Sequence, residues 1–216
     1  MGKYPIFLEL GGRRAVVIGA GSVAVRKVQS LLDAGARVVV VADHIDEKIA
    51  VMFESGNCKV IKAKYDKSYL TGAAIAIAST NDNELNTQIY KDCQALEIIC
   101  NVVDVPELCD FYVPAVVKRG HLQIAISTEG DSPAYSGHIR KKLEKIFTEK
   151  HGQFLRQLES LRKPIIEQIQ NPADRKAIFG KLVDDNSFEY FDKNGPEKWR
   201  LYAEDIIKSQ SLHATE

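Results

Sequence analysis

The run Ala15-Val-Val-Ile-Gly-Ala-Gly-Ser-Val-Ala-Val-Arg-Lys27 decides the fold. Ala15 to Ile18 is too short and too uniformly apolar for a surface helix, and it ends on a glycine pair, so it reads as a buried strand. Val23, Val25, Val28, Leu31 and Leu32 then recur along one helical face between Val23 and Ala34, and Gly35 closes that helix as a glycine past a C-terminus does. Strand, glycine turn and amphipathic helix in this order open a βαβ unit, and Gly19-Ala-Gly-Ser-Val-Ala24 fits G-x-G-x-x-G/A inside it. In that pattern Gly19 permits the tight turn, Gly21 lets a diphosphate approach the main chain, and Ala24 lets the helix pack close to the sheet. The amides near Ser22 and Val23 offer donors and the positive end of the helix dipole to the phosphates.

Outward from this unit, Arg37 to Val41 is a second buried strand, followed by Ala42-Asp43. Val60-Ile61 is a weak third strand, Ala73 to Ala78 a small-residue strand, Asn83 to Leu96 a helix, and Ile98 to Val103 another strand. Continuous apolar strands separated by helices predict a parallel sheet covered on both faces. With right-handed crossovers this is an α/β, Rossmann-type doubly wound sheet. The pattern changes after Asp110. Phe111 to Val117 and Leu122 to Ser127 read as strands joined by Lys118-Arg-Gly-His121, a hairpin linker. Ser132-Pro133 opens a helix, with serine as N-cap and proline in the first turn. Helical stretches follow near 133–149, 151–170, 172–183 and 196–209, broken at Gly152, Pro172 and Gly195-Pro196. The expected division is a dinucleotide-binding domain over 1–113, a small α+β segment over 114–150 and a helical domain over 151–216.

Composition narrows the partners. The 29 basic and 29 acidic side chains balance, which argues against a chain-wide nucleic-acid footprint. No apolar run reaches membrane-spanning length, and the start has no secretory apolar core, so no membrane partner and a cytoplasmic location are expected. Cys58, Cys93, Cys100 and Cys109 form no CxxC pair and read as thiols of a reducing compartment. They gather no tight histidine cluster around them, so no protein-bound metal is expected.

Several residues stand at expected strand ends, where ligands of such sheets bind. Asp43 follows the second strand 22 residues beyond Gly21, where an acid accepts the adenosine ribose hydroxyls and repels a 2′-phosphate, favouring NAD over NADP. The competing reading is an unrelated acid in a turn. His44 borders the adenosine or is a solvated loop histidine. Thr80 either touches the ribose or nicotinamide or belongs to an Asn-Asp turn that caps the Asn83 helix. Asn101 is a candidate to orient the nicotinamide. Asp104 reads equally as a carboxylate at a strand tip and as the N-cap of a helix begun by Asp104-Val-Pro-Glu107.

With these residues in place, the chain resembles the precorrin-2 dehydrogenase / sirohydrochlorin synthase family of sirohaem biosynthesis. The resemblance is carried by Tyr4-Pro-Ile-Phe7, Val17 to Lys27, Leu32-Asp-Ala-Gly-Ala-Arg37, Ala78-Ser-Thr-Asn-Asp82, Cys100-Asn-Val-Val-Asp104, Phe111-Tyr-Val-Pro-Ala115 and Ser132-Pro133-Ala134, collinear over roughly residues 4–150. Beyond 150 it rests on length and helical character alone. It implies NAD-dependent oxidation of precorrin-2 to sirohydrochlorin, a homodimer joined through about 114–150, and, in some members, insertion of Fe(II). It places Ser22 and Val23 at the pyrophosphate, Asp43 and His44 at the adenosine, and Asp104 as the key acid of the crevice. Some members have a serine where this chain has Thr128, near the tetrapyrrole site. No uroporphyrinogen methyltransferase segment follows in this sequence, so methylation is not expected.

The chemistry asks for two kinds of group. Removing a hydride from the macrocycle also requires removing a proton, and Asp104 is the candidate base. A substrate with many carboxylates needs cations, and Arg119, His121 and Arg140 cluster with Lys118, His138, Lys141 and Lys142. The plainer reading of those cations is a hairpin turn and a solvated helix face. Two other functions share the sheet: a non-catalytic NAD-sensing regulatory module, and a dehydrogenase acting on another substrate.

Overall fold

The computed structural model describes residues 2–54, 56 and 58–213, and the chain forms two compact units that meet in sequence at Val113 and Pro114. In the first unit β1 (Arg14–Ile18), α1 (Ser22–Asp33), β2 (Arg37–Ala42), α2 (Glu47–Glu54), β3 (Cys58–Lys62), β4 (Ile75–Ala78), α3 (Asn83–Ala95) and β5 (Ile99–Val102) follow one another. The five strands are ordered β3-β2-β1-β4-β5, and every pair is parallel. The order reverses direction at β1, which is the switch point of a doubly wound sheet. The expected fold class is the observed one.

Alternation along each strand divides the core. Val17, Val38, Val40 and Ile77 face one way and bury Ala24, Val28 and Leu31 of α1 with Ile49 of α2. Val16, Ile18, Val39 and Val41 face the other way, onto Ile89 and Cys93 of α3 and Leu70. Both faces are apolar because both are covered. Helix α2 was not expected from the sequence. Its signal is local: the Asp46 carboxylate accepts the Lys48 amide at 2.8 Å, and Ile49 is fully buried one turn on.

Strand β5 is an edge, and the chain closes it with its own next segment. The Cys100 amide donates to the Asp110 carboxylate at 2.8 Å, the Asp110 amide returns a bond to the Cys100 carbonyl, and Asn101 bridges Cys109 in antiparallel fashion. Covering the edge in this way removes a template for unwanted pairing.

The second unit begins with β6 (Ala115–Arg119) and β7 (Leu122–Ile126), an antiparallel pair, followed by α4 (Pro133–Ile146), α5 (Glu149–Gln168), α6 (Pro172–Leu182) and α7 (Asp185–His213). The hairpin turn is tighter than its sequence suggested. Arg119 pairs with Leu122, leaving Gly120 and His121 between the strands, and Gly120 has φ of 60°. Phe111 to Pro114 lies outside the hairpin. The break expected at Gly152 is not one: Gly152 is buried in the first turn of α5, where a Cβ would stand 2.5 Å from the Arg119 carbonyl oxygen. The boundary expected at 150/151 therefore falls inside α5. Gly195, with φ of 81°, and Pro196 do interrupt α7. Phe154, Leu161, Ile165, Phe191 and Trp199 make the core, and the Trp199 indole donates to Ser187 at 2.9 Å.

Candidate functional site

A cleft of about 890 Å³ lies over the carboxyl ends of β1, β2 and β4. Its floor is the glycine turn. Gly19 has φ of 102°, and a Cβ there would stand 2.5 Å from the Ser79 carbonyl oxygen, so only glycine fits. Gly21 has φ of −84° and an ordinary backbone, and a Cβ there would meet nothing within 4 Å. Folding does not require a glycine at position 21. What a side chain would occupy is the open approach to the helix.

That approach leads to unspent donors. The first helical bond of α1 runs from the Val25 amide to the Gly21 carbonyl at 3.2 Å, which leaves the amides of Ser22, Val23 and Ala24 without helical partners. Gly21 caps the helix without a side chain. Open space, free amides and the positive dipole end together suit a diphosphate. The residues present thus fit a dinucleotide.

Asp43 and His44 line the cleft beyond β2, and both are exposed. The Asp43 carboxylate accepts the His44 amide at 2.9 Å and keeps further acceptor capacity. Lys64 and Tyr65, not anticipated from the sequence, form the wall after β3. The Tyr65 hydroxyl donates to Asp92 at 2.9 Å. Burial first, and that bond second, push its phenol up, so Tyr65 presents a neutral hydroxyl. The signal that would have found both residues is their place just past a third strand that reads only weakly.

Thr80 lines the cleft and also belongs to the turn that caps α3. Its hydroxyl donates to the buried Asn86 at 2.7 Å, whose amide bonds back to the Thr80 carbonyl. Asp82, the N-cap of α3, accepts the amides of Glu84 and Leu85. Asn101 departs from expectation. Its amide donates to the Phe111 carbonyl at 2.9 Å and to Cys109 at 3.3 Å, so it pins the edge-closing segment instead of orienting a nicotinamide. Ser79, which adjoins the turn, was missed; its hydroxyl donates to the Ile18 carbonyl at 3.0 Å.

Asp104 does not cap a helix. The short 3-10 turn Pro106–Leu108 is preceded by Val105 and has no side-chain cap. Asp104 is exposed and takes φ of 62°, a left-handed conformation that aspartate adopts more readily than most residues. Lys27 of α1 is half-buried, and the Asp104 carboxylate is among the charges that act on it. Burial, then the adjacent Arg26 charge, pulls the Lys27 ammonium down from its ordinary value, while Cys109 and Asp104 push it up.

In the second unit the cations expected to hold substrate carboxylates are largely engaged. The Arg119 guanidinium donates to the carbonyls of Phe147 at 2.8 Å, Lys118 at 2.9 Å and Glu144 at 3.2 Å, and pairs with Glu149. It ties off the last turn of α4 and is a structural arginine. Arg140 is bonded to Glu144. His121 is open to solvent, with Glu159 at 3.9 Å. The Thr128 hydroxyl accepts the Ser132 amide at 3.2 Å, in the loop that starts α4. Among the described residues no group of three or more His, Cys, Asp or Glu could hold a metal ion, and no helix is long and apolar enough to cross a membrane.

A parallel doubly wound sheet with a glycine-floored cleft at its switch point defines a dinucleotide-binding protein of the Rossmann type. Residues 6–115, 110 of the 216, match the family described as "Putative NAD(P)-binding", and the chain belongs to it. Residues 119–146 match the family described as "Sirohaem biosynthesis protein central". The chain is similar to a sirohaem synthase of Psychrobacter sp. (strain PRwf-1), 35% identical over 85% of this chain and 38% of that protein. It is also similar to a sirohaem synthase of Escherichia coli O139:H28, 31% identical over 100% of this chain and 48% of that one. The chain thus spans half or less of these relatives. A solved structure, "SirC, precorrin-2 dehydrogenase", shares the fold with a TM-score of 0.78 and 24% identity, covering 94% of this chain and 100% of that one.

Proposed function

We propose that the chain is an NAD-dependent precorrin-2 dehydrogenase, oxidising precorrin-2 to sirohydrochlorin, and that it works as a cytoplasmic homodimer joined through residues 114–150. The observation that carries this reading is the open cradle over Gly21, beside free α1 amides, in a chain whose second unit matches the sirohaem central family. Asp43 in the cleft favours NAD over NADP, since its carboxylate would repel a 2′-phosphate. The four cysteines are free thiols, which suits a reducing compartment. The two-stranded hairpin sheet with exposed Val116, and the exposed Ile146 of α4, supply the face for a second copy.

NAD held in this cleft would supply the acceptor for the hydride that leaves the substrate carbon. The amides of Ser22, Val23 and Ala24 hold the diphosphate, and Asp43 accepts the ribose hydroxyls, with His44 bordering the adenosine. Thr80, fixed by Asn86, shapes the wall. Asp104 takes the proton that the macrocycle releases with the hydride. His121 and Thr128 are the candidates for substrate contact in the second unit, because Arg119 and Arg140 are held by other groups.

Mixing the protein with NAD and precorrin-2 should give reduced-nicotinamide absorbance and the sirohydrochlorin band together. Asp104→Ala should abolish both while keeping NAD affinity within a few-fold. Tight NAD binding without turnover in the native chain would mark a sensor module and defeat the proposal. The same preparation, given sirohydrochlorin and Fe(II), tests the metal insertion that the family resemblance raises.

A further inference from the structure

The cleft has a second wall, which the diphosphate does not use. The Ala63 amide donates to the Ala42 carbonyl at 3.0 Å, so residues 63–65 run on beside Asp43 and His44. Tyr65 and Leu85 line the cleft, and both are half-buried against the core cluster on the α3 face of the sheet. What Tyr65 offers the cleft is its ring, because its hydroxyl is spent. That hydroxyl donates at 2.9 Å to Asp92, which lies two turns further along α3 than Leu85. The Asp92 carboxylate is itself held. One oxygen takes Tyr65; the other accepts the Gln88 side-chain amide at 3.2 Å and stands 3.7 Å from the Lys67 ammonium. The Asp92 side chain is only 14% exposed, so water competes little for these bonds. Asp66 fixes the backbone just past the tyrosine, accepting the Ser68 amide at 2.8 Å at the head of the 3-10 turn Lys67–Leu70, whose Leu70 is fully buried.

Resting on the reading of this cleft as the NAD site, we infer that the Tyr65 ring is the face against which the adenine stacks, and that Asp92 is the positioning residue that holds the ring there. The base hangs from the ribose that Asp43 accepts, and the chain beside Asp43 is the run that ends in Tyr65. A purine presents flat apolar faces, which an aromatic plane binds whatever hydrogen bonds the base edge makes. A ring fixed at its backbone and at its hydroxyl before the ligand arrives loses little freedom on stacking. Helix α3 thereby serves the cofactor twice, through the loop that carries Thr80 at its start and through Asp92 on its third turn.

The test uses the full chain and ADP-ribose, which carries the adenine and the diphosphate but no nicotinamide. In a chain deuterated except at its tyrosines, an NMR Overhauser contact should join a tyrosine ring to the adenine H2 or H8, and it should vanish in Tyr65→Leu. That variant keeps the apolar packing and should weaken ADP-ribose roughly tenfold to a hundredfold in a calorimetric titration, the range of one base–aromatic stack. Asp92→Ala should weaken it roughly threefold to tenfold, the cost of immobilising one side chain. Tyr65→Phe keeps the ring and drops the bond, so it should match Asp92→Ala. The double variant Tyr65→Phe/Asp92→Ala should be no weaker than either alone, because both remove one interaction. Absence of the Overhauser contact, or affinity unmoved in Tyr65→Leu, would overturn the stacking. Additive losses in the double variant would remove Asp92 from it. If Tyr65→Leu does not fold, the Overhauser contact in the native chain and the Phe and Ala variants decide. A native chain that binds no ADP-ribose would instead sink the reading of the cleft itself, a failure distinct from binding that ignores Tyr65.

Discussion

The glycine turn of the first unit and the cationic segment of the second were both read as binding surfaces, and they differ in what they have left to offer. In the turn, ligand-binding capacity is main chain: three amides of α1 with no partner among the described residues, and open space over Gly21. In the segment it would be side chain, and there the folded protein has already used much of it. Arg119 spends its guanidinium on three carbonyls, and Arg140 is tied to Glu144. A helix N-terminus is left unsatisfied by geometry and so stays available to a ligand. A long charged side chain finds the nearest acceptor, which in a compact unit is often its own backbone.

The sharpest break of this comparison lies within the turn itself. Gly19→Ala meets two penalties at once, a positive φ and a Cβ 2.5 Å from the Ser79 carbonyl oxygen. A loss of about 2–4 kcal/mol on chemical denaturation is expected. Gly21→Val meets neither, so its stability should stay within about 0.5 kcal/mol of the native chain. It should nonetheless weaken NAD binding at least roughly a hundredfold in a calorimetric titration, about 2.7 kcal/mol. Normal NAD affinity in Gly21→Val would show that the diphosphate does not lie on this turn. Gly21 is a glycine for the ligand, and Gly19 is one for the fold.

The second comparison is Arg119→Ala, which should behave as a folding mutation. Its side chain is only 18% exposed, and its loss leaves the last carbonyls of α4 without their donor. A cost of about 1.5–3 kcal/mol follows from bonds made by a charged donor. Tetrapyrrole KM should change little. A tenfold rise in KM with unchanged melting would restore Arg119 to the substrate site and erase the contrast drawn here.

This contrast also explains what the sequence could reveal. Strand, Gly19-Ala-Gly21 and helix are local and periodic, and the identity of each small residue follows from a backbone need, so the dinucleotide cradle was legible. The sheet order was legible because buried strands of valine and isoleucine alternate with amphipathic helices. Helix α2 was not, because it is only two turns long and its apolar residues, Ile49 to Phe53, form one unbroken run with no helical spacing to read. Gly152 looked like a break because its partner, the Arg119 carbonyl, is distant in sequence. Asn101 was misjudged for the same reason. Asn101 has the composition of a ligand contact but is taken by Phe111. Chemistry that depends on a pairing across the fold is invisible where only neighbours along the chain are read.

Thr80 and Asp82 give the smallest effect and the finest distinction. Thr80 lies on the cleft wall, while Asp82 caps α3 through the amides of Glu84 and Leu85 at 2.9 and 3.0 Å. Asp82→Ala should cost about 1 kcal/mol, the usual value of a lost N-cap. Its effect on NAD affinity should be at most a few-fold, because Thr80 is held by Asn86, through its amide at 3.2 Å and its hydroxyl at 2.7 Å, and by the backbone of residue 82, which the substitution keeps. Comparing the thermal midpoint and the NAD titration of this one variant separates the cap from the wall. A loss of affinity larger than the loss of stability would mean that the loop carrying Thr80 is set by the cap. The cleft would then depend on a side-chain pairing after all, as the cationic segment does.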